Sequence, residues 1–258
     1  MATFMNSRLL RPAVRLLALL LVGAALLSGC AGSDEEEDAM FRDVTKAYET
    51  AQRSMRSQNY RRAIEIYEAL QARFPFSDLS KQIQLELMYA YYKSGRQEQA
   101  IDIADTFMRE NPTHPRVDYA LYVKALAYFE SDPNFLERWF NKEVDNRPPR
   151  DGALSFSLLK RLVERYPAST YAEDSRQRMI FLKNRLAAYE NSVAQYYLER
   201  GAYVAAVNRA KGALEEYNGA DSGRESLRIM IEAYEGLGMT ELAADAREVL
   251  ESNFPNDG

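Results

Sequence analysis

The chain has 258 residues, of which 33 are basic and 38 acidic, giving a formal net charge of −5, and 47% are hydrophobic. This length suits one large domain or two small ones, and a single cysteine and a single histidine exclude a disulfide framework within the chain and any metal centre built from several Cys or His ligands. The acidic total argues against a nucleic-acid partner, which needs excess positive charge. We therefore expect neither a cofactor nor a metal.

The N-terminal segment has the pattern of a lipoprotein signal peptide over residues 1–29. Three arginines and no acid precede the apolar run Leu16–Leu27, and small residues follow it. Leu27-Ser28-Gly29-Cys30 matches a bacterial lipobox, in which signal cleavage makes the acylated cysteine the new N-terminus. The alternative is an uncleaved signal anchor in which Cys30 is incidental.

Acylation of Cys30 predicts a lipid anchor and accounts for an odd cysteine in a secreted chain. Because Ala31, not Asp, follows the cysteine, we expect sorting to the outer membrane, with the protein on its periplasmic face. Cleavage leaves 30 basic and 38 acidic residues, a net charge of −8. Residues 30–39, with the acidic run Asp34–Asp38, are predicted to be a flexible tether; a functional acidic patch is the alternative.

Beyond Met40 the apolar residues recur at helical spacing, and no stretch alternates with a period of two. On one face of a predicted helix lie Ala63, Ile64, Tyr67 and Leu70, with charged residues opposite. Similar helices recur along residues 40–258 and predict an all-α fold, a tetratricopeptide (TPR) superhelical solenoid of about five helix-turn-helix repeats. The predicted repeats are 40–75, 76–112, 113–167, 168–218 and 219–255.

A small residue stands at the same position in every predicted repeat, twelve residues before the end of the pair that closes it. These residues are Ala63, Ala100, Ser155, Ala206 and Ala243, and the closing pairs are Phe74-Pro75, Asn111-Pro112, Tyr166-Pro167, Tyr217-Asn218 and Phe254-Pro255. A small side chain lets two helices approach closely, and proline ends a helix. A tyrosine stands nine residues before the small residue in three repeats, as Tyr91, Tyr197 and Tyr234.

Two repeats are longer than the usual ~34 residues. In the third, residues 131–151 carry turn signals such as Asp132-Pro133 and Pro148-Pro149, which predict an insertion. In the fourth, no helix breaker occurs from Tyr171 to Arg200. This stretch is predicted to be one long or bent helix, or two helices that meet near Ala188 or Glu190.

The sequence lacks the residues that catalysis needs. His114 lies between two prolines, where packing or capping a turn is the favoured role over that of a general base. The basic pairs Arg61-Arg62 and Lys160-Arg161 are short, and each is flanked by acids. We therefore expect a non-enzymatic protein whose function lies in its surface. Of Tyr89, Tyr91 and Tyr92, at least one must face outward, because three tyrosines within four residues cannot share one helix face.

Several segments outside the TPR signature positions resemble the BamD (ComL) family of outer-membrane β-barrel assembly lipoproteins. They are Phe74-Pro75-Phe76, Gln82–Lys93, Asn111–Pro115, Phe181–Ala187 and Val193–Arg209. The resemblance implies five TPRs, a lipid anchor at the outer membrane, and C-terminal repeats that bind the POTRA region of BamA. It also implies that Arg209 contributes to the BamA contact.

The same resemblance implies that the N-terminal repeats receive unfolded outer-membrane proteins, and that the lipoproteins BamC and BamE dock where they are present. We expect Phe74, Phe76, Tyr89 and Tyr92 to be the groove residues that contact a substrate or partner. The alternative function is a TPR lipoprotein adaptor for peptidoglycan or a cell-wall enzyme. An enzyme with a site around His114 ranks third.

Overall fold

The computed structural model describes residues 43–130 and 149–255, and every regular element in these two ranges is an α-helix. In chain order the helices are α1 (Val44–Arg56), α2 (Tyr60–Arg73), α3 (Ser80–Lys93), α4 (Gln97–Glu110), α5 (Val117–Phe129), α6 (Arg150–Arg165), α7 (Ala172–Glu199), α8 (Tyr203–Glu216), α9 (Gly223–Gly236) and α10 (Thr240–Asn253). The predicted all-α solenoid class is confirmed, while the exact repeat boundaries stay a prediction. Cys30, the tether and residues 131–148 lie outside the described residues.

The described residues divide into two compact units, with the boundary between Ile83 and Gln84, inside α3. In the first unit, α1 and α2 pack together, and each begins at a side chain that accepts hydrogen bonds from the first-turn N–H groups. Asp43 caps α1 and Asn59 caps α2. The apolar face predicted for α2 is buried, with Ala63, Tyr67 and Leu70 fully inaccessible.

The small residues predicted to let helices approach are buried in both units. Ala63, Ala100, Ser155 and Ala206 are 0% exposed, and Ala243 is 2% exposed. Ser155 is the polar member of the set, and its hydroxyl donates to the Ala125 carbonyl oxygen at 2.9 Å, linking α6 to α5. A buried hydroxyl needs such a partner, which explains how serine substitutes for alanine here.

Three helices of the second unit end in the same glycine turn. Gly95, Gly201 and Gly238 have φ of 78°, 69° and 73°. The next residue of each turn donates its N–H to a carbonyl five positions earlier, at 2.9 Å; the acceptors are Tyr91, Tyr197 and Tyr234. This is the Schellman motif, and it needs a residue in the left-handed region, which glycine adopts without strain.

The long helical stretch is one continuous helix, α7, of 28 residues. Leu182 and Leu186, in its central part, pack with α5 and α6 in one core cluster, and Ala194 and Leu198 pack with α8 and α9 in another. Between the two clusters, the buried Asn191 accepts from the Ser226 hydroxyl at 2.7 Å and donates to the Ser222 carbonyl oxygen at 2.9 Å. The helix therefore joins both halves of the second unit.

Candidate functional site

Five tyrosines of the second unit form one aromatic surface, which we call the tyrosine surface. Its members are Tyr89 and Tyr92 on α3, Tyr119 and Tyr122 on α5, and Tyr171 at the start of α7. The ring centroids of Tyr89 and Tyr92 lie 6.2 Å apart. Tyr171 stacks on Tyr122 at 4.6 Å and lies 5.6 Å from Tyr119. Since Tyr119 also interacts electrostatically with Tyr89, the two groups are neighbours.

Local hydrogen bonds position Tyr171 between the helices. The Ser169 hydroxyl donates to Asp118 Oδ2 at 2.7 Å, which ties the turn before α7 to the first turn of α5. The backbone N–H of Tyr171 then donates to the same hydroxyl at 3.2 Å. A polar turn thus places an aromatic ring against the neighbouring helix.

Two of the five tyrosine hydroxyls donate hydrogen bonds to carboxylates. Tyr92 donates to Glu130 Oε1 and Tyr122 donates to Asp174 Oδ2, both at 2.6 Å. Arg178 Nε also donates to Asp174 Oδ2 at 2.6 Å. Burial, followed by the bond to Asp174, raises the pKa of Tyr122 to about 12, so this phenol is neutral at physiological pH.

Burial also raises the pKa of Tyr92 and Tyr119 well above the ordinary tyrosine range. For Asp174, burial opposes ionisation, but the hydrogen bonds from Arg178 and Tyr122 outweigh it and leave the pKa of the carboxyl below its usual value. Tyr92, Tyr119 and Tyr122 are therefore neutral phenols at physiological pH, and two of them donate to carboxylates.

Two guanidinium groups lie on aromatic rings at this surface. The Arg116 Cζ lies 4.6 Å from the Tyr119 ring centroid, and the Arg178 Cζ lies 4.8 Å from that of Phe129. Aromatic residues and arginine contribute most of the binding energy at protein–protein interfaces. The arrangement can hold a polypeptide by stacking and hydrogen bonding, without chemical change.

The four predicted groove residues fall in different units. Phe74 and Phe76 belong to the first unit, where Phe76 is 98% exposed and the partly buried Phe74 closes α2 by donating its N–H to the Leu70 carbonyl oxygen at 2.9 Å. Tyr89 and Tyr92 belong to the second unit and are half-buried, whereas Tyr91 is buried at 7% exposure. Tyr89 and Tyr92 are thus more exposed than Tyr91, and their role as groove residues stays a prediction.

Arg209, on α8, forms an ion pair with α7. Its Nη1 donates to Glu190 Oε2 at 2.9 Å, and the side chains of Arg209 and Glu190 are 47% and 23% exposed. The bond to Glu190 raises the pKa of the Arg209 guanidinium above its ordinary value. The less exposed carboxylate of Glu190 thus positions the more exposed guanidinium of Arg209.

An apolar depression lies on the same helix as Arg209. It has a volume of about 450 Å³, and its lining includes Val204, Ala205 and Asn208 from α8 and Leu237 from the end of α9. Val204 is 60% exposed, which is unusual for a branched apolar side chain. Exposed apolar area of this kind is typical of a protein contact.

The sequence did not indicate several of these residues. Tyr119, Tyr122 and Tyr171 were missed as surface residues, although Tyr119 and Tyr122 repeat the three-residue spacing of Tyr89 and Tyr92. Glu190 was missed as the partner of Arg209 because nineteen residues separate them along the chain.

His114 has the packing and capping role that its position predicted. Its ring lies edge-on to Phe107 at 5.2 Å, and its Nδ1 accepts the Arg116 backbone N–H at 3.1 Å. Both interactions brace the turn between α4 and α5. Within residues 43–130 and 149–255, no helix combines the length and the apolar character that crossing a membrane requires.

Comparison with known proteins gives one consistent family. The family YfiO, described as "Outer membrane lipoprotein", matches residues 41–250. The chain is 41% identical over 233 residues to the "Outer membrane protein assembly factor BamD" of Neisseria meningitidis serogroup A, covering 89% of this chain and 87% of that protein. It is 38% identical over 235 residues to the protein of the same name from Vibrio cholerae, covering 90% and 96%.

Among solved structures, that of the MamA protein covers 83% of this chain and 97% of its own, with a TM-score of 0.36 and 14% identity. This similarity is too low to bear on function.

Proposed function

The chain belongs to the YfiO family of outer membrane lipoproteins, and from that premise we propose that it is a non-catalytic, lipid-anchored scaffold for assembling outer-membrane proteins. The relatives named as outer membrane protein assembly factors, at 38–41% identity over about nine-tenths of the chain, support this role. Cys30 would carry the lipid and hold the repeats on the periplasmic face of the membrane.

The scaffold binds BamA through its C-terminal repeats, with Arg209 at the contact. The observation that carries this step is the Arg209–Glu190 pair, because Glu190 holds the guanidinium in place while almost half of the Arg209 side chain is accessible. A planar five-donor guanidinium suits carboxylates or carbonyls of a partner. The exposed Val204, on the same helix, adds the apolar area that such contacts need.

Unfolded outer-membrane proteins are received at Phe74 and Phe76 of the first unit and at the tyrosine surface of the second. Stacked rings with hydrogen-bonded hydroxyls bind extended chains of varied sequence. Almost any side chain can contact a flat aromatic ring, so the surface selects little by sequence. The carboxylates bonded to Tyr92 and Tyr122 fix the rings in advance, which reduces the entropy lost on binding. BamC and BamE, where present, dock on the same scaffold.

The test is charge reversal at Arg209 followed by co-purification with BamA from native envelopes. We expect Arg209→Glu to lower recovery of BamA about tenfold or more, which corresponds to at least ~1.4 kcal/mol. Arg228→Glu is the matched control, because Arg228 is also a partly exposed arginine in an ion pair with a glutamate, Glu225, at 3.9 Å. Equal recovery of BamA with both variants would remove Arg209 from the contact.

Two further readouts test the rest of the proposal. Cys30→Ala should leave the protein out of the outer-membrane fraction, whereas full retention with an uncleaved signal would support the signal-anchor alternative. Crosslinking in intact envelopes should give BamA adducts; dominant adducts with wall material would favour the peptidoglycan adaptor instead.

A further inference from the structure

A pocket of about 270 Å³ lies between α4, α5 and α6 in the second unit. Three arginines line it, Arg109 from α4 and Arg161 and Arg165 from α6. The lining also includes the apolar side chain of Met108 and the ring of Tyr166, both partly buried against the core. None of these residues belongs to the tyrosine surface or to the Arg209 contact.

The three guanidinium groups have no carboxylate partner among the described residues. Arg109 donates to the Thr106 hydroxyl at 3.1 Å, and Arg165 lies 5.8 Å from the Tyr166 ring centroid. Acids that flank Arg161 in sequence do not neutralise it, since Glu164 pairs with Lys160 at 3.9 Å.

The one carboxylate in the pocket is already neutralised. Both oxygens of Asp105 accept from Lys124 Nζ, at 2.6 and 2.7 Å, and the Lys124 side chain is only 15% exposed. The pocket therefore has a net positive charge within a chain whose formal net charge is −5. Like charges gathered at one concave site attract an anion that relieves their repulsion.

We propose that this pocket binds the phosphate of an anionic phospholipid such as phosphatidylglycerol. A phosphodiester has more acceptor oxygens than a carboxylate and can engage several guanidinium groups at once. The apolar side of the pocket, Met108 and Tyr166, would contact the glycerol and the first acyl carbons.

A lipid is the source that the observations favour. The chain belongs to a family of outer membrane lipoproteins, so phospholipid is the abundant amphiphilic anion beside it. Basic pockets on membrane-associated proteins bind phospholipid headgroups by the same chemistry. This inference rests on the family and not on the assembly role, so it can fail without affecting that role.

The experiment titrates the purified mature lipoprotein, kept in a neutral detergent, with soluble short-chain lipids by isothermal titration calorimetry. We expect saturable binding of dihexanoyl phosphatidylglycerol and no binding of dihexanoyl phosphatidylcholine, whose headgroup has no net charge. Arg161→Gln combined with Arg165→Gln should weaken binding of the anionic lipid about tenfold or more.

A matched control removes the same charge elsewhere. Arg176→Gln combined with Arg228→Gln affects two exposed arginines that are paired with Glu173 and Glu225, and it should leave lipid binding unchanged. An equal loss in both double variants would overturn the proposal in favour of general charge attraction. Inorganic phosphate binding as tightly as the lipid, or an acidic hexapeptide binding more tightly, would also overturn it.

Discussion

Arg209 Nη1 lies 2.9 Å from Glu190 Oε2, so a salt bridge connects α8 to α7 at the proposed BamA contact. The pair leaves open two roles for Arg209. It could contact the partner itself, or it could serve only to hold the two helices together. These roles predict different behaviour of charge-swapped variants.

We expect the double variant Glu190→Arg with Arg209→Glu to fold normally and still fail to recover BamA. The swap restores an ion pair between α7 and α8. It also places a glutamate at position 209, where the wild-type protein presents an arginine to BamA. Because both groups are partly exposed, free energies of unfolding should change by less than ~0.5 kcal/mol. Recovery of BamA at the wild-type level would show that the pair is structural. Circular dichroism and co-purification together separate the outcomes.

Asp174 predicts a pH-dependent contribution to stability. Its folded-state pKa lies below the unfolded value, so its stabilisation is present above the unfolded pKa of ~3.9 and is lost as pH falls through the folded pKa. Asp174→Asn should cost about 0.5–1 kcal/mol at pH 7, a modest value because the side chain is 46% exposed. The difference in the free energy of unfolding between the wild type and Asp174→Asn should shrink toward zero in acid.

Urea denaturation at several pH values from about 7 down to about 2 measures this effect, because the loss falls below the unfolded pKa of ~3.9. Glu173→Gln is the matched control, since it breaks an ion pair with Arg176 in which Glu173 is 73% exposed. That change should have little effect at any pH. A cost of Asp174→Asn that stays constant with pH would contradict the assignment.

The glycine turns predict opposite effects at two equivalent positions. Gly201 has φ of 69° with no atom within 4 Å of an added Cβ, so Gly201→Ala should cost about 1 kcal/mol through backbone strain alone. Gln58 has φ of 60° in the same kind of turn after α1. Gln58→Gly should therefore stabilise the chain, by about 0.5 kcal/mol after the entropy of the unfolded glycine is counted.

Shifts of the urea midpoint measure the change in the free energy of unfolding for both variants. The opposite signs of the two changes test the prediction more strictly than their sizes. A neutral Gly201→Ala would mean that the turn relaxes to another conformation.

Substitutions at Ser155 test the close approach of α5 and α6. Ser155→Ala removes the hydrogen bond to Ala125 and should cost about 1 kcal/mol. Ser155→Leu must also push the helices apart, with a cost of about 1–3 kcal/mol or more. Ser157→Leu, at an exposed position two residues along the same helix, controls for the change of side chain and should be close to neutral. Equal effects at both positions would contradict a tight crossing.

The predictable features were those encoded locally. Small residues such as Ala206, the glycine turns and the capping role of His114 all depend on neighbours a few positions away. The tyrosine surface was only partly predictable, because Tyr122 donates to Asp174, which lies 52 residues away along the chain.

The continuity of α7 has a mechanical consequence. Asp174 and Arg178, which hold the tyrosine surface, share this helix with Glu190, which holds Arg209. Sixteen residues of helix set Asp174 and Glu190 about 24 Å apart along the axis. A helix packed into both core clusters keeps that spacing, so a polypeptide on the tyrosine surface would be presented to a docked partner at a fixed distance and angle. The helix therefore fixes the spacing between the tyrosine surface and the Arg209–Glu190 pair.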